Sequence, residues 1–209
     1  MWPKATKRAY GAKWCAAHSP SAMRPGPISD RLRQGFAEAG YGLCINEITT
    51  PGLIEVYPHP ALVELCDEPK RLPYKVGKLR SYWPELKPEH RRTLLAGEWG
   101  AIGTVLEPYL HGAEAYCTAS DLSPIQLKAQ EDMIDAIICC VCAIRALEGA
   151  ATPYSGDDKS AIWVPKADPE IQSRTLLPKS PYSARAELRR EVFADRLLAG
   201  EDEELADIV

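Results

Sequence analysis

The sequence predicts an α/β domain, and three observations carry that expectation. Two short runs rich in β-branched and aromatic residues, LIEVY at 53–57 and AIWV at 161–164, read as strands. A single apolar helix with signals at both ends fills the stretch between Ser123 and Gly149. Proline, glycine and small polar residues separate the periodic segments, as they do in a compact domain with several short elements. With 209 residues, 45% of them hydrophobic and 26% charged, the chain is long enough for one domain with a sizeable core and an extension.

Residues 1–29 read as irregular, because Pro20, Pro25, Gly26 and Pro27 break any periodicity, and Ser29 caps a helix from Asp30 to Ala39. Tyr41–Ile48 and Leu53–Tyr57 are expected as strands that form a hairpin across TTPG or succeed each other across a break. Pro58 and Pro60 end the second strand, since neither can donate to a ladder, and Ala61–Leu65 follows as one or two helical turns. A helix is expected over 89–110, weakened by Gly97, Gly100 and Gly103, and EAYCT at 114–118 reads as a short strand.

The helix after Ser123 has the clearest signals. Ser123 and Gln126 form a capping box, Pro124 takes the first helical position and Gly149 supplies the stop. From Ile134 to Leu147 it is apolar on nearly every side, the pattern of a helix buried within a domain. Residues 1–165 are expected to form the domain, and residues 166–209 a charged extension with a helix from Ser183 to Leu198 and an acidic end.

Composition excludes several classes. A net charge of −4 lacks the strongly basic footprint of a general nucleic-acid binder, so a nucleic-acid partner would need a local basic patch or metal ions. Seven cysteines, three of them within 139–142, do not form the even framework of a small secreted protein, and a reducing cytoplasm is the expected location. No apolar run approaches the length of a membrane span. The phosphate-cradling GxxxxGK[ST], GxSxG and HExxH patterns do not occur.

The chemistry-bearing residues are acidic. Asp132 and Asp135, three apart on one helix, lie on one face about a turn from each other. Glu55 is the one carboxylate in the apolar LIEVY run, a costly position unless something pairs with it. If the helix packs beside that strand, the three carboxylates converge, and a divalent cation relieves their repulsion. Oxygen-only ligation suits Mg²⁺ or Mn²⁺. Taken one at a time, Asp132 and Asp135 can equally occupy a solvated helix face, and Glu55 an exposed strand edge. Lys75, Lys78 and Arg80, interleaved with Tyr74, Tyr82 and Trp83, form the densest basic stretch and suit contact with phosphates and bases; a solvated charged surface is the plainer alternative. Cys139 and Cys142 lack a second ligand pair at zinc spacing and read as small buried residues.

Together, EVYPHPALVEL, RLPYKVGKLRSYW, DMIDAIICCVCAIRA and GDDKSAIWVP resemble the successive motifs of the RNase H-like nucleases catalogued as domain of unknown function 429, over about residues 5–165. The resemblance implies an RNase H-like fold, a mixed sheet flanked by helices, and a metal-dependent nuclease hydrolysing nucleic acid. It places Glu55 at the family's middle acidic position and Asp132 and Asp135 on its C-terminal acidic pair. The family's opening strand, with a GxD-like pattern and the first catalytic Asp, has no counterpart before Asp30, so the comparison implies that the N-terminal strands are missing. The alternative is a catalytically inactive binding or interaction module of the same fold. An incomplete sheet would leave the LIEVY edge unpaired, which favours a homo-oligomer.

Overall fold

A computed structural model describes residues 4–16, 27–118, 122–157 and 159–174. It is a mixed α/β arrangement in which helices flank small sheets. Helix α1 (Lys4–Tyr10) and helix α2 (Pro27–Glu38) precede three two-residue strands, β1 (Gly42–Leu43), β2 (Gly52–Leu53) and β3 (Glu55–Val56). Helix α3 (Pro58–Leu65) is followed by a 3-10 turn (Val76–Lys78), α4 (Leu79–Tyr82), α5 (Pro88–Leu106), α6 (Ala113–Tyr116) and α7 (Pro124–Leu147). The described chain closes with β4 (Ala151–Asp157), β5 (Ser160–Pro165) and α8 (Pro169–Arg174).

Strands β1 and β2 pair in parallel as one small sheet; a second sheet has the order β3-β5-β4, with β3 parallel and β4 antiparallel to β5. The indole of Trp163 on β5 donates to the carbonyl of Cys44 at 2.8 Å and joins the two sheets. Among the described residues β3 is an edge strand, paired on one side only. The core is built from α3, α5, α7 and β5, with Leu62, Leu65, Trp99, Ile102, Ile134, Ile138 and Ile162 fully buried.

The long helix follows its sequence signals. Ser123 Oγ accepts from the Gln126 backbone N–H while the Gln126 side chain accepts from the Ser123 N–H, and Pro124 takes the first turn. Gly149, at φ +71°, ends it in a left-handed turn: the N–H of Gly149 donates to Ala146 and that of Ala150 to Arg145, which satisfies two terminal carbonyls. The helix is one-sided rather than enclosed. Leu127, Ile134, Ile138, Val141, Cys142 and Arg145 form a buried stripe, whereas Met133, Ala136, Cys140 and Leu147 are exposed.

Several expectations are corrected. The N-terminal segment is not wholly irregular, because α1 packs on β4, where Tyr10 meets Tyr154 edge-on at 5.3 Å. Residues 41–48 and 53–57 form no hairpin and only two-residue strands: none of residues 41–48 is fully buried, and the short parallel pairing of β1 with β2 is all the ladder that joins them. EAYCT is a helical turn, not a strand. The Glu107 carboxylate accepts from the N–H groups of Gly112 and Glu114, both at 2.9 Å, and these bonds wind the chain into α6 and lower the Glu107 pKa. Residues 166–168 dock on the body: Arg145 donates to the Lys166 carbonyl and pairs with Asp168 at 3.6 Å, and the Asp168 N–H donates to Tyr109. The helix expected over 183–198 lies outside the described residues. No described helix is long and apolar enough to cross a membrane.

Gly103 lets α5 and α6 meet closely. A Cβ there would stand 2.7 Å from the Cys117 Cβ and 3.0 Å from the Glu114 Cα, so α6 can seat on α5 only because this position is bare. We therefore expect Gly103→Ala to destabilise the protein by about 1–3 kcal/mol, read by urea unfolding, while Gly97→Ala, with nothing within 4 Å of its added Cβ, stabilises it slightly.

Candidate metal centre

Three carboxylates gather at the N-terminal half of α7. Glu131, Asp132 and Asp135 each offer one ligand oxygen, and these oxygens lie within 4.8 Å of one another. Helix geometry explains the set, because Glu131 and Asp132 stand four and three residues before Asp135, the two spacings that share a helix face. Glu131 is 5% exposed and stands within the buried stripe, Asp135 is half-buried at the rim, and Asp132 is exposed.

The opposing wall is the segment before α4. Tyr74 donates its hydroxyl to Asp135 Oδ1 at 2.8 Å, and the Lys75 ammonium pairs with Asp135 Oδ2 and, at 3.4 Å, with Glu131 Oε1. The Val76 N–H donates to Glu131 Oε2 at 2.7 Å. From the helix itself, Lys128 reaches Glu131 at 2.9 Å and Asp132 at 2.5 Å. The bonds to Asp132 and Glu131 hold the Lys128 pKa up at about 12. Trp99 on α5 fixes the wall from behind, with its indole donating to the Tyr74 carbonyl at 2.9 Å. Burial, reinforced by the Asp135 charge, pushes the Tyr74 phenol well above its usual range and keeps it a neutral donor.

The structure thus brings Asp132 and Asp135 together and adds Glu131 to them. Glu55 is not one of this trio. It sits on β3 opposite Ile162, and burial raises its carboxyl pKa while the Arg33 charge on α2 draws it back. Lys75 is held by the carboxylates, whereas Lys78, on the 3-10 turn, and Arg80, on α4, are exposed and form no ion pair among the described residues. Glu131 had a readable signal: it is the one charge in the stripe between Leu127 and Ile134, four residues before Asp135. Cys139 and Cys142 are free thiols on the far half of α7 and belong to no metal-binding group among the described residues; burial raises Cys139 to about 11.

This arrangement defines an α/β protein with an acidic helix face closed by a lysine and tyrosine wall. The chain belongs to the family described as Protein of unknown function (DUF429), whose match covers residues 31–160, well over half of its length. No curated protein matches the chain significantly, and no solved structure does either.

Removing Lys75 leaves Glu131 and Asp135 facing each other with less compensation. Lys75→Met should cost about 1–3 kcal/mol of stability, and adding Asp135→Asn should recover part of that loss; additive costs in the double variant would show that the pair is not coupled.

His59, the second residue of α3, is 4% exposed and meets Tyr57 and Tyr74 edge-on. Burial first, then the charges of Arg71 and Lys75, lower its pKa from 6.5 to about 2. The native state therefore refuses a proton that the unfolded chain accepts, so this contribution is complete above about pH 6.5 and is lost as pH falls toward 2. Between pH 6 and 4 the unfolding free energy should drop with a slope from this group of up to about 1.4 kcal/mol per pH unit. His59→Gln should flatten that slope, and an unchanged slope would contradict the assignment.

Proposed function

We propose that this chain is a metal-dependent nuclease of RNase H-like fold that hydrolyses phosphodiester bonds of nucleic acid. The observation that carries the reading is the carboxylate trio on α7, with its ligand oxygens within 4.8 Å of one another; the exposed cations Lys78 and Arg80 follow Lys75 in the chain. The donor set fits a hard divalent cation, because all three donors are carboxylate oxygens, and Mg²⁺ or Mn²⁺ is the expected ion. Such ions, when bound, generate a nucleophilic water and stabilise the leaving oxygen of a phosphodiester.

The chain's own residues have distinct roles. Tyr74 and the Val76 N–H orient Asp135 and Glu131 by donating to one oxygen of each. Lys75 and Lys128 neutralise the trio when no dication is present, and both ammoniums become available to phosphate oxygens when a dication relieves them. Lys78 and Arg80 extend this positive edge toward the nucleic-acid backbone. Glu55 enters as the strand-borne carboxylate of the same reading, and its variant shows whether it ligates.

A second reading rests on one observation: two lysines already compensate three carboxylates, so the cluster can be a structural network in a non-catalytic binding module. Metal binding separates the two. Mn²⁺ at about 100 times its Kd should stabilise a nuclease centre by about 2.7 kcal/mol, seen as a raised Tm. Glu131→Gln and Asp135→Asn should abolish that shift, and Glu55→Gln should weaken it only if Glu55 is a ligand. Single- and double-stranded DNA and RNA incubated with the protein in Mn²⁺ should be cleaved, and cleavage should vanish in Asp135→Asn. No thermal shift and no cleavage would establish the binding-module reading instead.

A further inference from the structure

The side of α7 turned away from the core takes no part in the acidic cluster. Ala129, Met133, Ala136, Cys140, Ala143 and Leu147 succeed each other along it at alternating spacings of four and three residues. That alternation keeps a narrow seam in line along a helix, and it is the spacing by which two helices pack on each other. The seam holds no charge, and all of it except the half-buried Ala143 is exposed. Met133 is 48% exposed and Leu147 is 74% exposed, so two large apolar side chains of one helix face are left to solvent.

Read in order, the side chains of the seam are small, large, small, small, small and large. Beside a second copy running in the same direction, Met133 would crowd Met133 and Leu147 would crowd Leu147, with gaps between them where alanines face alanines. Reversed about a two-fold axis at the level of Ile138, Met133 faces Ala143, Leu147 faces Ala129 and Ala136 faces Cys140. Every large residue then meets a small one, which is the condition for two layers to interdigitate.

The surroundings of the seam agree with the reversed pairing. Ala143 and Leu147 line a groove of about 540 Å³ between α7 and residues 41–54, walled also by Tyr41, Ile48, Pro51 and Ile54. The partner's Met133 stands opposite Ala143 in this pairing, and so at the groove. An unbranched thioether side chain suits an apolar gap of irregular shape, and there it displaces water from Tyr41 and Leu147, both exposed in the single chain. By symmetry the contact is made twice.

We propose that α7 pairs antiparallel with α7 of a second copy of this chain, with Met133 of each copy seated in the groove at Ala143 of the other. Glu131 and Asp135 stay within their own chain, turned toward Val76 and Tyr74 on the other side of α7. The pairing therefore stands whether or not the acidic cluster binds metal.

Analytical ultracentrifugation of the full chain over a range of concentrations is the test, with thermal unfolding alongside. The wild type should sediment as a dimer that dissociates on dilution, and its Tm should rise with concentration. Ala136→Glu sets two like charges near the axis and should weaken the dimer about tenfold or more, and Cys140→Lys should do the same. Both positions are exposed, so each variant should keep the fold of the single chain. Mixed in equal amounts, the two variants should recover the dimer, because the introduced carboxylate of one then faces the introduced ammonium of the other. Ser81→Glu, exposed on α4, should change nothing. A wild type that is monomeric throughout overturns the proposal. So does a dimer that neither charge weakens, which would place the contact on another surface such as the exposed Ile28, Leu32 and Phe36 of α2. Two monomeric variants whose mixture stays monomeric overturn the antiparallel pairing.

Discussion

The contact between residues 74–76 and the buried face of α7 is the constraint on which the rest of the site depends. Glu131 is nearly enclosed, and an enclosed carboxylate is tolerated only if its oxygens are matched by donors. One oxygen takes the Val76 N–H, the other takes Lys75 and Lys128. Asp135 repeats the arrangement one turn later with Tyr74 and Lys75. The stretch from Tyr74 to the first residue of the 3-10 turn is thereby fixed to the longest helix, with the Tyr74 hydroxyl and the Lys75 ammonium set against the carboxylates.

That constraint reaches into the core through Trp99, which is fully buried and holds the Tyr74 carbonyl from α5. Behind α5, the bare Gly103 lets α6 seat, and on the other side of α7 the core continues through Ile138 to Ile162 of β5. The site is therefore carried by two long helices rather than by the sheet. Its strand-borne component, Glu55, lies on a two-residue edge strand and feels Arg33 of α2. The α2 helix has no buried residue, and Ile28, Leu32 and Phe36 on it are exposed among the described residues.

The helical part of this design was legible in the sequence because its signals are local. Ser123, Pro124, Gln126 and Gly149 fix the ends of α7 through hydrogen bonds to their own neighbours, and the pair Asp132 and Asp135 follows from helical spacing. Glu131 was hidden by that same spacing rule. Reading Asp132 and Asp135 as one face draws attention away from the residue four before Asp135, although an isolated charge within an apolar stripe is the better mark of a buried functional carboxylate. The partners of the trio were less legible, since Tyr74 and Lys75 are 61 and 60 residues from Asp135 in the chain. Strand expectations failed where no residue is fully buried, as at 41–48, or where one side chain decides the backbone. Glu107 does so at EAYCT, and neither effect leaves a periodic trace.

Paramagnetic broadening of backbone amide signals by substoichiometric Mn²⁺ tests the central claim most directly, because the ion reports its own position. A metal centre on α7 requires that the amides of 130–136 and of 74–76 broaden together, at Mn²⁺ levels that leave α2 sharp. Broadening confined to the strand around Glu55, or scattered over the exposed acidic surface with no focus on Glu131 and Asp135, would contradict it.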